Sequence, residues 1–180
     1  MDRLKRDAIL AELADKLRRH GSWCGETHLQ KSVYFLQEQL RVPTEFTFIL
    51  YKHGPFSFEL RDEITSMRAD GMLELIPQYP YGPRLIPTDR SIELRKKFPK
   101  TLDRHMDRIE FVSVQLGNKD VSELEKLATA LFVRKVEPFA PDTVRTHKLV
   151  ELKPHVSSSD AERVTRLVDE IARASEALVA

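Results

Sequence analysis

Hydrophobic residues recur at three- and four-residue spacing along most of the chain, and that pattern predicts a protein built largely of helices. In residues 2–19, Leu4, Ile9, Leu10, Leu13 and Leu17 form one apolar stripe, and Gly21 behind them suits a left-handed helix end. Leu29, Val33, Leu36 and Leu40 make a second stripe over 27–40. It opens on Thr27-His28-Leu29-Gln30, the threonine-to-glutamine spacing of a capping box. Arg41-Val42-Pro43 ends it. The period then changes. Phe46, Phe48 and Leu50 alternate with Thr47, Ile49 and Tyr51, which is strand spacing with both faces fairly apolar. His53-Gly54-Pro55 reads as a turn, and Ser57 as the cap of a helix over 57–70 with Leu60, Ile64 and Met67 inward. Gly71 stops that helix. Residues 72–77 and 84–87 read as two strands around a turn rich in Tyr, Pro and Gly, and Thr88 opens a short helix that ends near Phe98-Pro99. Beyond 99 only helical spacing remains. Leu102, Met106, Ile109 and Val112 mark one helix. Asp120-Val121-Ser122-Glu123 leads into Leu124, Leu127, Leu131 and Phe132. Residues 142–152 form a shorter helix, and Ser159 opens a last one carrying Val164, Leu167, Val168, Ile171 and Leu178.

These elements give a helix-dominated α+β fold. An N-terminal part, residues 1–98, holds a small antiparallel sheet of three strands. A helical part, residues 99–180, packs against it as one globular unit. The apolar faces of 102–116 and 160–178 fit either the completion of one core or a homodimer.

Length and charge narrow the function classes. A chain of 180 residues suffices for one substantial core or two small ones. Its 29 basic and 28 acidic residues leave a net charge of +1, so nothing draws the whole molecule to nucleic acid or an anionic membrane. Cys24 is the sole cysteine, which excludes an internal disulfide and a cysteine-rich zinc site and suits a reducing compartment. The opening MDRLKRDAILAELADKLRR has no apolar run of signal length, and no stretch approaches the roughly 20 apolar residues of a membrane span. A cytoplasmic protein with no membrane association is expected.

Candidate chemistry is sparse. Trp23-Cys24-Gly25 resembles redox and thiol-protease sequences, but no second cysteine exists to resolve a mixed disulfide, and a nucleophilic Cys24 needs an oriented histidine that spacing does not single out. A thiol enzyme therefore stands as a minor alternative. His20, Cys24 and His28 would share a helix face, but Gly21 and Gly25 break that helix, so no metal site is expected. Glu59, Asp62 and Glu63 cluster at helical spacing and read as a solvated first turn in preference to an acid–base pair. No cofactor motif appears.

Helix 57–70, a glycine and a two-stranded hairpin ending in Thr88 form the run of elements seen in winged-helix proteins. More narrowly, "LQKSVYFLQ" (29–37), "YKHGPFSFELRDEITSMRADGML" (51–73) and "LKPHVSSSDAERV" (152–164) resemble the YwgA-like proteins and the Panacea domain of SocA-like antitoxins. Those families share a Leu-Gln-Lys-x-x-Tyr-Phe helix and a Tyr-x-x-Gly-Pro-x-Ser turn before a helix. The resemblance implies a prokaryotic, non-enzymatic protein that binds a partner, a toxin or a regulatory target, through protein contact.

The charge pattern weighs a protein binder against a DNA reader. Helix 57–70 sets Arg61 and Arg68 against Glu59, Asp62, Glu63 and Asp70, so phosphates repel it. Its neighbour 27–40 is separated from it by the strand-bearing stretch 41–56, unlike the short turn of a DNA-reading helix pair. Residues 75–105 are basic, with Arg84, Arg90, Arg95, Lys96 and Lys97 as the candidate phosphate contacts of a DNA-binding regulator, the alternative function. For protein contact, the candidates are Tyr79, Tyr81 and Arg84 on the wing, and His53, Phe56, Glu59 and Asp62 at the acidic helix. Phe58 is expected on the same face.

Overall fold

The computed structural model describes residues 1–79 and 81–179, and the side chains of Gln78 and Tyr81 also lie outside the described set. The fold is helix-dominated α+β. Helix α1 (Arg3–Arg19) is capped by the Asp2 carboxylate and ends in Gly21 at a φ of 88°. Every position from Asp7 to Ala14 is buried, so α1 runs through the centre of the molecule instead of lying on it. Leu4, expected in its apolar stripe, is exposed.

Helix α2 (Glu26–Glu38) buries Leu29, Val33 and Leu36 as the spacing predicts. The capping box does not form. The N-cap is Gly25, which offers no side-chain bond, and Gln30 turns away to a distant segment. Behind α2 the strand reading is shortened. Only Ile49–Tyr51 (β1) pairs, and its partner is Gly54–Phe56 (β2), so the His53-Gly54-Pro55 turn shrinks to Lys52 and His53. Ser57 caps α3 (Phe58–Ala69) through the Leu60 N–H, and Leu60, Ile64 and Met67 are its buried face.

The wing is formed by β3 (Leu73–Gln78) and β4 (Tyr81–Pro87), paired antiparallel. Among the described residues, the expected three-stranded sheet is instead two separate two-stranded ones. β1 does not extend back to Phe46 and Thr47, whose backbone groups are taken by side chains of α2 and α3. Helix α4 (Asp89–Lys97) follows at Thr88, whose hydroxyl donates to the Gly71 carbonyl at 2.6 Å and does not cap.

The C-terminal part consists of α5 (Pro99–Leu116), α6 (Val121–Val136), α7 (Asp142–Leu152), α8 (Ser158–Ala174) and α9 (Glu176–Val179). α8 is capped by Ser157, two residues before the expected Ser159. α5 packs on α1, and α6 on α2, α7 and α8. One hydrophobic core therefore includes Ile9 and Leu13 of α1, Val33 of α2, Ile109 of α5, Leu127 of α6 and Val168 of α8. Full burial of each such side chain contributes about 1.5–3 kcal/mol. Among the described residues, no helix is long and apolar enough to cross a membrane.

Candidate protein-interaction site

Two glutamines on α2 hold the segment that carries the site. Residues 30 and 37 lie seven apart, which places them on one helix face about 10 Å from each other. Gln37 Oε1 accepts from the Phe46 N–H at 2.9 Å while its Nε2 donates to the Phe46 carbonyl at 2.9 Å. Gln30 Oε1 accepts from the Ser57 N–H at 3.0 Å, and its Nε2 donates to the Ser57 carbonyl at 2.8 Å. Each carboxamide thus serves as a one-residue strand partner, satisfying backbone groups that would be costly to leave bare. The segment 46–57 is fastened to α2 at both ends.

Its middle is fastened as well. Lys31 Nζ donates to the Pro55 carbonyl at 2.8 Å, and Lys153, just beyond α7, donates to the Lys52 carbonyl at 2.7 Å. Gly54 has a φ of 86°, and a Cβ there would come 2.8 Å from Thr129 Oγ1 of α6. This position requires glycine on both counts. The three sequence stretches behind the family resemblance therefore meet at one hairpin: α2 supplies Gln30 and Lys31, the turn supplies 51–57, and the end of α7 supplies Lys153.

The hairpin presents aromatic rings to solvent. Tyr51 and Phe58 are 46% and 40% exposed. Half-buried Phe56 packs against both, with ring centroids 5.1 Å from Phe58 and 6.0 Å from Tyr51. The Tyr51 and Phe58 rings meet edge-to-face at 5.6 Å, and the Arg61 guanidinium sits 5.1 Å above Phe58. Ile49 extends the patch. Of the expected contact residues, Phe56 belongs to this cluster. His53 is exposed beside it, its Nδ1 3.2 Å from Glu125 Oε1. Asp62 is exposed and receives the Arg61 guanidinium at 2.8 Å. Glu59 is exposed at the surface, but its carboxylate accepts from the Thr47 N–H at 2.8 Å, so it holds the chain leading into β1. Glu63 faces away, bonded to Arg3 and Arg6 at 2.8 and 2.7 Å, which separates it from Glu59.

The wing candidates lie elsewhere. Tyr79 is 96% exposed at the tip. Tyr81 begins β4, and its side chain is outside the described residues. Arg84 stacks over Trp23 at 5.0 Å and donates to the Trp23 carbonyl at 3.3 Å, so it braces the base of the wing. Of the expected phosphate contacts, Arg90, Lys96 and Lys97 are exposed. Arg95 is not, because its guanidinium is held by Glu12 and Asp15 of α1 at 2.7 and 3.2 Å. A cleft of about 850 Å³ separates the wing from the starts of α2 and α6, with Trp23, Gly25, His28, Arg68 and Arg84 among its walls.

Cys24 does not line that cleft. It is fully buried at a φ of 53°, its thiol directed to the Ala14 carbonyl at 3.6 Å, and burial pushes it up to about 12. A thiol in that state supplies almost no thiolate at neutral pH. His20 pairs with Glu110 at 2.6 Å and His28 with the Lys119 carbonyl at 3.2 Å, so His20, Cys24 and His28 have separate partners. Sequence reasoning passed over Tyr51, Arg61 and Lys31. Tyr51 and Lys31 stand in the motifs that carry the resemblance, but nothing local assigns either a contact role, and Arg61 reads only as a charge on the acidic helix. No family model, curated protein or solved structure matches the chain.

Proposed function

We propose that the chain is a protein-interaction module without catalytic function, an antitoxin-like protein or regulatory adaptor that seats a partner protein on the face of β1, β2 and the first turn of α3. The observation that carries this reading is the exposed Tyr51–Phe56–Phe58 cluster with Arg61 above it. Aromatic rings and arginine dominate the energetics of protein interfaces. The cluster is mounted on a hairpin held by Gln30, Gln37, Lys31 and Lys153, so little ordering entropy remains to be lost on binding. The resemblance to YwgA-like and Panacea-domain proteins supports the same reading, since its motifs surround this hairpin. The burial of Cys24 speaks against the thiol-enzyme alternative.

Affinity capture from the native cell tests the proposal, using the wild-type chain and a Tyr51→Ser/Phe58→Ser variant. Both side chains are already half in water, so the variant keeps its fold, as circular dichroism would verify. A protein retained by the wild type and lost by the variant, then shown to bind in purified form, supports the assignment. Equal retention by both removes it. The DNA-binding alternative has the exposed Arg90, Lys96 and Lys97 in its favour, while the engagement of Arg95 and the acidity of α3 count against it. It predicts duplex binding that weakens steeply with salt. On the protein-binding reading, no duplex binding is detected at physiological ionic strength.

A further inference from the structure

A cavity of about 310 Å³ opens beneath the aromatic cluster, lined by Gln30 and Lys31 of α2 and by Tyr51, His53 and Phe56 of the hairpin. Lys31 is only 2% exposed. Its ammonium carries three donors. One goes to the Pro55 carbonyl, and no carboxylate among the described residues comes within salt-bridge distance of it. Lys153, also buried, donates to the Lys52 carbonyl on the other side of the same turn, and it too has no ion pair among the described residues. Glu125 is the acidic group that acts on both, and its own carboxylate is turned to His53. Two buried ammonium groups therefore share one partly engaged carboxylate. Buried charge is normally compensated by a close counter-charge, because desolvation costs several kcal/mol per ion.

We infer that this cavity is an anchor pocket for an acidic side chain of the partner protein, whose carboxylate pairs with the Lys31 ammonium while an adjoining apolar residue packs on Tyr51 and Phe56. The inference rests on the interaction surface proposed above and names the chemistry of its occupant. Continuity supports it, since Tyr51 and Phe56 belong to both the exposed cluster and the cavity wall. Charge decides the ligand class. Glu26 is the acidic residue in the wall, but it is exposed at the start of α2, where water and salt screen it. Lys31 acts from a low-dielectric position, where the same charge exerts a several-fold larger effect.

The test uses the whole chain and two blocked peptides, acetyl-Gly-Ala-Glu-Phe-Ala-Gly-amide and its Glu→Gln counterpart, which differ only in one negative charge. Backbone amide shifts of Gly54 and Phe56 report occupancy. The glutamate peptide should bind about tenfold or more tightly than the glutamine peptide at pH 7. Burial holds Lys31 down to about 8. Glutamate-peptide affinity should therefore fall as pH rises past that value, while the glutamine peptide shows no such fall. Of the other titratable groups at the pocket, Glu26 and Glu125 are carboxylates, His53 is an imidazole and Tyr51 is a phenol that also ionises on the alkaline side. Tyr51→Phe removes that phenol, so an alkaline loss of charge selectivity that persists in Tyr51→Phe reports the lysines. In Lys31→Met the two peptides should bind alike. Equal affinity for both peptides on the wild type, or a preference for glutamate that survives in Lys31→Met, overturns the assignment. Were Lys31→Met to unfold, the wild-type comparison and its pH profile would still decide. A negative peptide result alongside a positive Tyr51→Ser/Phe58→Ser capture result would retire the anchor and leave the surface standing.

Discussion

Gln30 completes two backbone groups of a residue 27 positions away, using both ends of one carboxamide. Replacing it with alanine leaves a buried N–H and a buried C=O at Ser57 without partners. The expected loss is about 2–4 kcal/mol, read as a lower urea midpoint with an unchanged slope. The same residue shows what sequence hides. Thr27 and Gln30 have capping-box spacing, yet the glutamine's partner is supplied by tertiary structure, and nothing local in the chain announces it. Asp7 is hidden in the same way. It reads as a surface charge in a helix, but it is fully buried, with Arg3 Nε 3.7 Å from its carboxylate. Burial, with Glu63 adding like charge, raises it to about 7. For Glu63 itself burial pushes upward, but the bonds from Arg3 and Arg6 outweigh it and hold that carboxyl low. The folded state thus keeps the Asp7 proton that the unfolded chain releases near pH 4, so this residue lowers stability as pH rises from about 4 to about 7. Asp7→Asn should remove that slope, and the variant should be more stable than the wild type at pH 8 but not at pH 4. Glu63 contributes the opposite slope at lower pH in both proteins. Thermal melts at the two pH values check this.

At the scale of elements, the helices and the two wing strands were legible, and the strand over 46–51 only in part. Leu60, Ile64 and Met67 on α3 and Leu124, Leu127 and Leu131 on α6 are buried where their spacing put them, because a helical stripe is a local property. The alternation across 46–51 is equally clear, yet only 49–51 pairs, since Gln37 takes both backbone groups of Phe46 and Glu59 takes the Thr47 N–H. Strand pairing is a contest among distant partners, and a side-chain amide and a carboxylate won part of it. The contact between the β1–β2 hairpin and α6 offers a direct test. Gly54→Ala should destabilise by more than about 1 kcal/mol, through its positive φ and the clash with Thr129. Adding Thr129→Ala should recover the steric share and leave the backbone share. Urea unfolding of the two singles and the double, treated as a cycle, separates them.

For the molecule as a whole, the decisive element is α1. Its centre is buried on all sides, and it packs on α5 across the boundary at residue 98. A fragment of residues 1–98 should therefore lack cooperative unfolding, since the buried helix α1 would lose α5, which packs against it. Sloping urea curves and strong dye binding would show it, whereas a sharp transition independent of protein concentration would establish an autonomous unit. The mixture of helices and small sheets was readable from the change of period at 46–51 and again at 72–87. The central position of α1 was not, because Asp7 and Glu12 gave it the composition of a surface helix. The hairpin's fastenings come from positions 30, 31, 37 and 153, with Gly54 set against Thr129. During synthesis the ribosome must have passed residue 153 before the last of them can close. Chains that stop short of residue 153 therefore lack the bond to the Lys52 carbonyl, and their hairpin is held by the side chains of α2 alone.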